Sequence, residues 1–263
     1  MKINRKNVNP HWLLILASFF FMSCAVQAQN IKPNRKSFAY VKATVDVHVP
    51  ECKVDEKTKQ KTCIMKKLGK KTALGSGTFF KYKNTKAFLS AGHVCLGPAF
   101  GIWPDLPNTS KVMATVSLQS YTGKIIKGQI RYVNIKYDIC IIDITHPDLR
   151  DNELPKFSVL KPQKDRDFYA VAAPVGIFAT GMVPVYEGKY QGDSAIFSFY
   201  TIPTAPGASG APIYNSNGRI VGVIQRTNMA FKEITLSIKF KDLSNILERY
   251  EEITKEGLSY VIE

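Results

Sequence analysis

The chain has 263 residues, 45% of them hydrophobic and 22% charged, with a formal net charge of +15. That length accommodates one large β domain or two small ones, and the ordinary composition excludes a collagen-like or low-complexity chain. The excess of positive charge bears on partners rather than on fold, and it directs attention to acidic surfaces.

Residues 1–28 stand apart. Lys2, Arg5 and Lys6 give a positive start, residues 12–22 (WLLILASFFFM) are apolar, and Val26 and Ala28 hold the minus-three and minus-one positions before Gln29. The apolar run is shorter than the roughly 20 residues of a bilayer span, so the segment reads as a secretory signal peptide. The alternatives are a retained membrane anchor and lipid attachment at Cys24, which Phe21 and Met22 fit poorly. Cleavage leaves 33 Lys/Arg against 21 Asp/Glu, a net charge of +12, on a chain expected to be exported to the periplasm or the medium.

Residues 38–49 (FAYVKATVDVHV) alternate cleanly, with Val41, Ala43, Val45, Val47 and Val49 on one face, as in a half-buried strand. Residues 53–71 follow, with eight lysines against Asp55 and Glu56. The Lys53–Lys71 region reads either as a solvated hairpin or as a patch for an anionic surface. No aromatic residue interleaves with the lysines, so a stacking site for nucleic acid is not expected. Cys52 and Cys63 flank the hairpin and could close it, for about 3 kcal/mol of stabilisation. Cys95 and Cys140 would then be left to pair or to stay free. Four cysteines in an exported chain suggest disulfides. With no CxxC and four scattered histidines, no metal site and no other cofactor is expected.

Strand-like runs at 77–82, 87–91, 112–118, 127–133 and 138–144 complete a first set, separated by turn residues. The polar, proline-containing segment 145–166 is the candidate linker. A second set follows at 168–172, 182–190, 195–200, 219–225 and 234–240. The one clear helix is 242–253, where Leu243, Ile246, Leu247 and Tyr250 share a face and Asp242 is the expected N-cap. Many short, evenly spaced strands predict an all-β protein of sandwiches or barrels.

Three polar residues sit where such strands begin or end. His93 follows the apolar strand 87–91, Asp138 opens 138–144, and Ser209 lies in the glycine-flanked loop 206–210 (PGASG). Nucleophilic catalysis by serine needs a base and a group that orients the base. His93 and Asp138 belong to the first half and Ser209 to the second, so a cleft between two β units would unite them. Asp143 is the rival orienter, but it lies on the opposite face of the strand. His48 and His146 are poorer candidates, one on a polar strand face and one in the linker.

In this order the segments resemble the chymotrypsin-like (trypsin-like) serine peptidases, and most of all the bacterial branch that includes the Deg/Htr proteases. The resemblance rests on GSGTFF (75–80), FLSAGHVC (88–95), YDICIIDI (137–144), PGASGAPIYNSNGRIVGV (206–223) and LSIKFKDLSNIL (236–247). It implies two six-stranded β-barrels, over 29–150 and 151–263, with the site between them. It also implies His93, Asp138 and Ser209 as the triad, the N–H groups of Gly207 and Ser209 as the oxyanion hole, and Ile224, Gln225, Arg226 and Thr227 as the substrate-binding strand.

The sequence departs from the family in several places. Ala208 stands where digestive enzymes have Asp, and no Ile-Val-Gly-Gly-like new N-terminus follows the leader, so the oxyanion hole is expected to form without propeptide cleavage. Pro203, six residues before Ser209, replaces the acid that selects Lys or Arg substrates. Arg226 either contacts acidic substrates or faces solvent. With the helix close to the end of the sequence, the PDZ domain of the Deg/Htr proteases is not expected. The expected function is an exported serine endopeptidase acting on protein or peptide substrates. The alternatives are a catalytically silent binding protein on the same fold, using the lysine hairpin, and an esterase. The oligomeric state is not legible.

Overall fold

The computed structural model describes residues 33–97, 111–144, 150–227, 231, 233–258 and 260–263. Six antiparallel strands form the first barrel: β1 (Phe38–Val54), β2 (Lys61–Tyr82), β3 (Thr85–Ala91), β4 (Lys111–Ser120), β5 (Ile125–Asn134) and β6 (Ile139–Ile144). Their order is β5-β4-β1-β2-β3-β6, and the β5–β6 pairing closes the sheet. The second barrel comprises β7 (Asp167–Val171), β8 (Val185–Asp193), β9 (Phe197–Tyr200), β10 (Pro212–Asn215), β11 (Ile220–Thr227) and β12 (Thr235–Ile238), closed in the order β10-β11-β12-β9-β8-β7. A short β13 (Val261–Ile262) adds in parallel to β5. The fold is the pair of β-barrels that the sequence led us to expect.

Alternation builds these barrels. Val41, Ala43, Val45 and Val47 are buried along β1 while Lys42 is exposed. Val41 and Ala43 meet Phe79, Phe88, Val116, Leu118 and Ile142 in the first core, and Val45 and Val47 form a smaller cluster with Val49 and Ala114. The second core stacks Phe168, Tyr190 and Tyr200 at centroid distances of 5.4–6.4 Å. A third cluster joins the barrels: Phe80, Leu89, Tyr132 and Ile141 come from the first, and Val171, Tyr214 and Val223 from the second. Fully burying one such side chain is worth roughly 1.5–3 kcal/mol, so this shared core holds the two units as one body.

The helix Phe240–Lys255 buries Leu243, Ile246, Leu247, Tyr250 and Ile253 against that shared core. Its start corrects the expectation at Asp242. The N-cap is Lys239, and the first helical bond runs from the Leu243 N–H to the Lys239 carbonyl at 3.0 Å. β12 ends at Ile238, and the chain stays extended through Lys239 before turning, which leaves Asp242 inside the first turn. β1 and β2 run well beyond their expected limits, through the lysine-rich region.

Of the expected linker, 145–149 lies outside the described residues. Residues 151–155 lie against the first barrel, where Asp151 pairs with Lys81 and Lys86 and the Lys81 N–H donates to the Pro155 carbonyl at 3.2 Å, and residues 156–158 pass to the second. Phe157 bridges Ile220, the Ser158 N–H donates to the Ile220 carbonyl at 2.8 Å, and the Ile220 N–H donates to the Lys156 carbonyl at 2.9 Å.

Candidate active site

β3 delivers His93. The strand ends at Ala91 and the chain turns at once into a one-turn helix, Gly92–Leu96, with His93 as its second residue. Asp138 is delivered by the turn between β5 and β6. There the Asn134 side chain accepts the Tyr137 N–H at 2.9 Å, and the Asp138 N–H closes on the Ile135 carbonyl at 3.3 Å. Asp138 itself has φ +50°, a left-handed conformation that Asp tolerates better than most residues.

One carboxylate then holds His93 twice. Asp138 Oδ1 accepts the His93 backbone N–H at 2.8 Å, and the ring Nδ1 lies 2.8 Å from Oδ2 and 3.1 Å from Oδ1. Asp138 is buried at 6% exposure, whereas the His93 side chain is 36% exposed. A carboxylate acceptor beside Nδ1 selects the tautomer with a proton there and leaves Nε2 with its lone pair. A disulfide between Cys95 and Cys140 reinforces the pairing, since each cysteine sits two residues beyond one partner. The rival Asp143 is engaged elsewhere, 3.0 Å from Arg131 Nε and 3.1 Å from the Tyr250 hydroxyl that donates to it.

Ser209 approaches from the second barrel. Its loop is stitched to the first barrel by two hydrogen bonds from Ser76. The Ser76 N–H donates to the Ser209 carbonyl at 2.8 Å, and the Ser76 hydroxyl donates to the Gly207 carbonyl at 2.7 Å. Gly210 has φ +88°, and a Cβ there would lie 2.2 Å from the Ser76 carbonyl and 2.8 Å from the Ala91 nitrogen. Only a glycine lets the residue after Ser209 pack this tightly against the end of the strand that carries His93. Gly207, with φ +98°, likewise has no room for a side chain, because its Cβ would meet the Ala173 carbonyl at 2.8 Å. Among the described residues, the N–H groups of Gly207 and Ser209 donate to no backbone acceptor.

Comparison with known proteins bears on this arrangement. A trypsin-like peptidase domain family model matches residues 75–223, more than half the chain, and that stretch includes His93, Asp138 and Ser209. The chain belongs to the trypsin-like peptidase family. No curated protein matches its sequence. Among solved structures it resembles the HtrA-type protease AlgW with a decapeptide, with TM-score 0.55 and 15% identity over 86% of this chain and 68% of that one. It also resembles the inactive form of Rv3671c from M. tuberculosis, with TM-score 0.54 and 12% identity over 86% and 92%. The serine endoprotease from Yersinia pestis gives TM-score 0.54 and 15% identity over 84% and 65%. In the AlgW structure with a tripeptide, this chain spans 63% of the length of the protein it matches.

The expected substrate strand of this trypsin-like domain falls in β11 and splits in character along its length. Ile224 is buried. Gln225 is also buried, and its side-chain amide donates to the Tyr137 carbonyl, next to Asp138, while its own carbonyl lies 3.5 Å from Ser209 Oγ. Arg226 is exposed, with its guanidinium 6.0 Å from the centre of the Phe197 ring. The Thr227 hydroxyl lies 2.6 Å from that of Thr204, which is 2.9 Å from that of Thr235. Pro203 is exposed beside this neutral hydroxyl chain.

Sequence reasoning missed Ser76. The Gly-Ser-Gly string at 75–77 was visible only as a family motif, and nothing local shows that the hydroxyl between the glycines reaches across to residue 207. Among the described residues no cluster of His, Cys, Asp and Glu is suited to a metal ion.

Proposed function

We propose that this protein is an exported serine endopeptidase that cleaves peptide bonds through an acyl-enzyme. Ser209 Oγ attacks the carbonyl carbon, and its proton passes to His93 Nε2. Asp138 keeps the Nδ1 proton in place and stabilises the imidazolium. The oxygen of the tetrahedral intermediate takes hydrogen bonds from the N–H groups of Gly207 and Ser209. The C–N bond breaks as His93 returns the proton to the leaving amine, and water then hydrolyses the acyl group by the same route. The observation that carries this reading is the double hold of Asp138 on His93, at 2.8 Å to both the backbone N–H and the ring.

Export is supported by the leader-like start and by two disulfides, which persist in oxidising compartments. Substrates are peptides or proteins without a Lys or Arg requirement, since a neutral chain of Thr204, Thr227 and Thr235 hydroxyls stands beside Pro203. Ile224 to Thr227 hold the substrate by their backbone, and Arg226 favours neutral or acidic side chains near the cut. The lysine-rich region contacts an anionic surface.

A fluorophosphonate probe tests the reading. The folded protein is expected to label and Ser209→Ala not to. Absence of labelling on folded wild type would replace the peptidase by a silent binding protein. Turnover of esters but not peptides would make it an esterase. Profiling of cleaved peptides reads the selectivity, and strong Lys or Arg enrichment before the cut would refute the role given to Arg226.

A further inference from the structure

The first barrel carries an arm that the catalytic reading does not use. β1 stays paired with β4 only as far as His48, opposite Lys111. β1 and β2 continue to pair with each other as far as Val54, opposite Lys61. At about 3.3 Å per residue, the ribbon projects roughly 20 Å past its last β4 partner. Two strands alone are marginally stable in water. This ribbon is fastened by the Cys52–Cys63 disulfide, and Asp55 closes its tip by accepting the N–H groups of Lys57 and Thr58 at 2.8 Å each.

The arm combines two properties that water penalises or leaves unused. Val54, Ile64 and Met65 are 57%, 61% and 47% exposed, large apolar side chains within a short distance of the tip. The register places Pro50, Met65, the disulfide and Val54 on one face and Ile64 on the other, so a surface laid along the first face would cover Val54 and Met65 together. Around them stand the lysines. Lys66 is 3.1 Å from Glu51 and Lys67 is 2.5 Å from Asp46. Lys53, Lys57, Lys59 and Lys61 are exposed and form no ion pair among the described residues.

We propose that this arm docks the protein onto an anionic lipid bilayer, with the face that carries Val54 and Met65 toward the membrane. Val54 and Met65, with the disulfide between them, enter the headgroup–acyl boundary side-on. Lys53, Lys57, Lys59 and Lys61 extend their charged ends to the lipid phosphates while their stems remain in the apolar layer. Charge complementarity selects an anionic partner. The polar tip, residues 55–60 (DEKTKQ), stays at the level of the headgroups, and an apolar face beside lysines suits a bilayer, which holds an apolar layer beneath its phosphates. Residues 48–71 contain no Phe, Tyr or Trp, so nucleobases would find nothing to stack on. The inference is independent of the peptidase chemistry, because the arm and the His93–Asp138 pair share no residue.

The test is co-sedimentation of the oxidised protein with vesicles. Binding is expected to vesicles of phosphatidylcholine with phosphatidylglycerol and not to pure phosphatidylcholine, and it should weaken as salt is raised. Combined Lys53→Gln, Lys57→Gln, Lys59→Gln and Lys61→Gln should lower the apparent partition coefficient by about a hundredfold or more, at about fivefold per lysine. As a second readout, tryptophan emission of Met65→Trp should shift to the blue only with anionic vesicles. Fluorophosphonate labelling, measured in parallel, should be unchanged by the lysine substitutions. Failure of the folded wild type to bind anionic vesicles would overturn the proposal. So would equal binding to neutral vesicles, or binding to heparin or an acidic protein without binding to vesicles.

Discussion

Ser76 offers the sharpest test of how the two barrels make one site. Its side chain is fully buried, accepts the Ala173 N–H at 3.0 Å and donates to the Gly207 carbonyl at 2.7 Å. Ser76→Ala removes one small atom and strands both partners. A buried polar group left without a hydrogen bond costs about 1–3 kcal/mol, so the pair predicts a destabilisation of about 2–6 kcal/mol. The backbone bond from the Ser76 N–H to the Ser209 carbonyl survives the substitution. The variant therefore isolates the tether on Gly207. Once the hydroxyl is lost, the Gly207 carbonyl is no longer held, and Gly207, whose own N–H is a proposed oxyanion donor, can shift out of line. Loss of one such donor costs a factor of about 100–1000 in kcat, which sets the upper bound for the effect. Two assays decide it. Urea unfolding reads stability from the midpoint at constant slope. Peptide turnover separates kcat from KM, and the expected outcome is a fall in kcat of at least about tenfold with KM little changed. Ser76→Cys, which keeps a weak donor, should fall between the two. A Ser76→Ala protein within about 0.5 kcal/mol of wild type and with unaltered kcat would refute the positioning role, because ordinary surface changes move stability by no more than that.

Two further outcomes follow from the same structure. The Cys95–Cys140 disulfide closes a 45-residue separation, and chain-entropy arguments give it about 4 kcal/mol. Combined Cys95→Ala and Cys140→Ala should therefore lower the unfolding free energy by about 2–5 kcal/mol and slow probe labelling of Ser209 below the melting temperature. Unchanged stability would show that the denatured chain is not constrained by the bridge. Asp151 lies between Lys81 and Lys86, whose hydrogen bonds hold its carboxyl down to about 2. Because the folded state depresses this group, its contribution to stability is present above about pH 4, the ordinary carboxylate value, and is lost as pH falls toward 2. Titration of the Asp151 carboxyl by carbon NMR should give a midpoint near 2 in the wild type and one near the ordinary value in Lys81→Met with Lys86→Met. An ordinary midpoint in the wild type would refute the pairing.

The sequence by itself carried the periodic and local features of this protein. The alternation of β1, the apolar strands around His93 and Asp138, and the glycine-flanked Ser209 loop were readable because a strand face or a tight loop is written in residues a few positions apart. The helix stripe from Leu243 to Tyr250 was legible for the same reason, although its start was not, since the cap depends on where β12 releases the chain. The flanking of the lysine run by Cys52 and Cys63 suggested one disulfide and left Cys95 and Cys140 open. Tertiary structure decided what depends on distance through space. It turned Asp138 onto both the backbone and the ring of His93, engaged Asp143 with Arg131 and Tyr250, and joined Cys95 to Cys140. It also sent the Ser76 hydroxyl across to Gly207, folded the Gln225 amide back to the Tyr137 carbonyl, and drew β1 and β2 out into a free arm. Apart from the β1–β2 arm and the Arg131–Asp143 pair, each of these contacts joins segments far apart in the chain, and their geometry is set by barrel closure and register, which no local window of residues encodes.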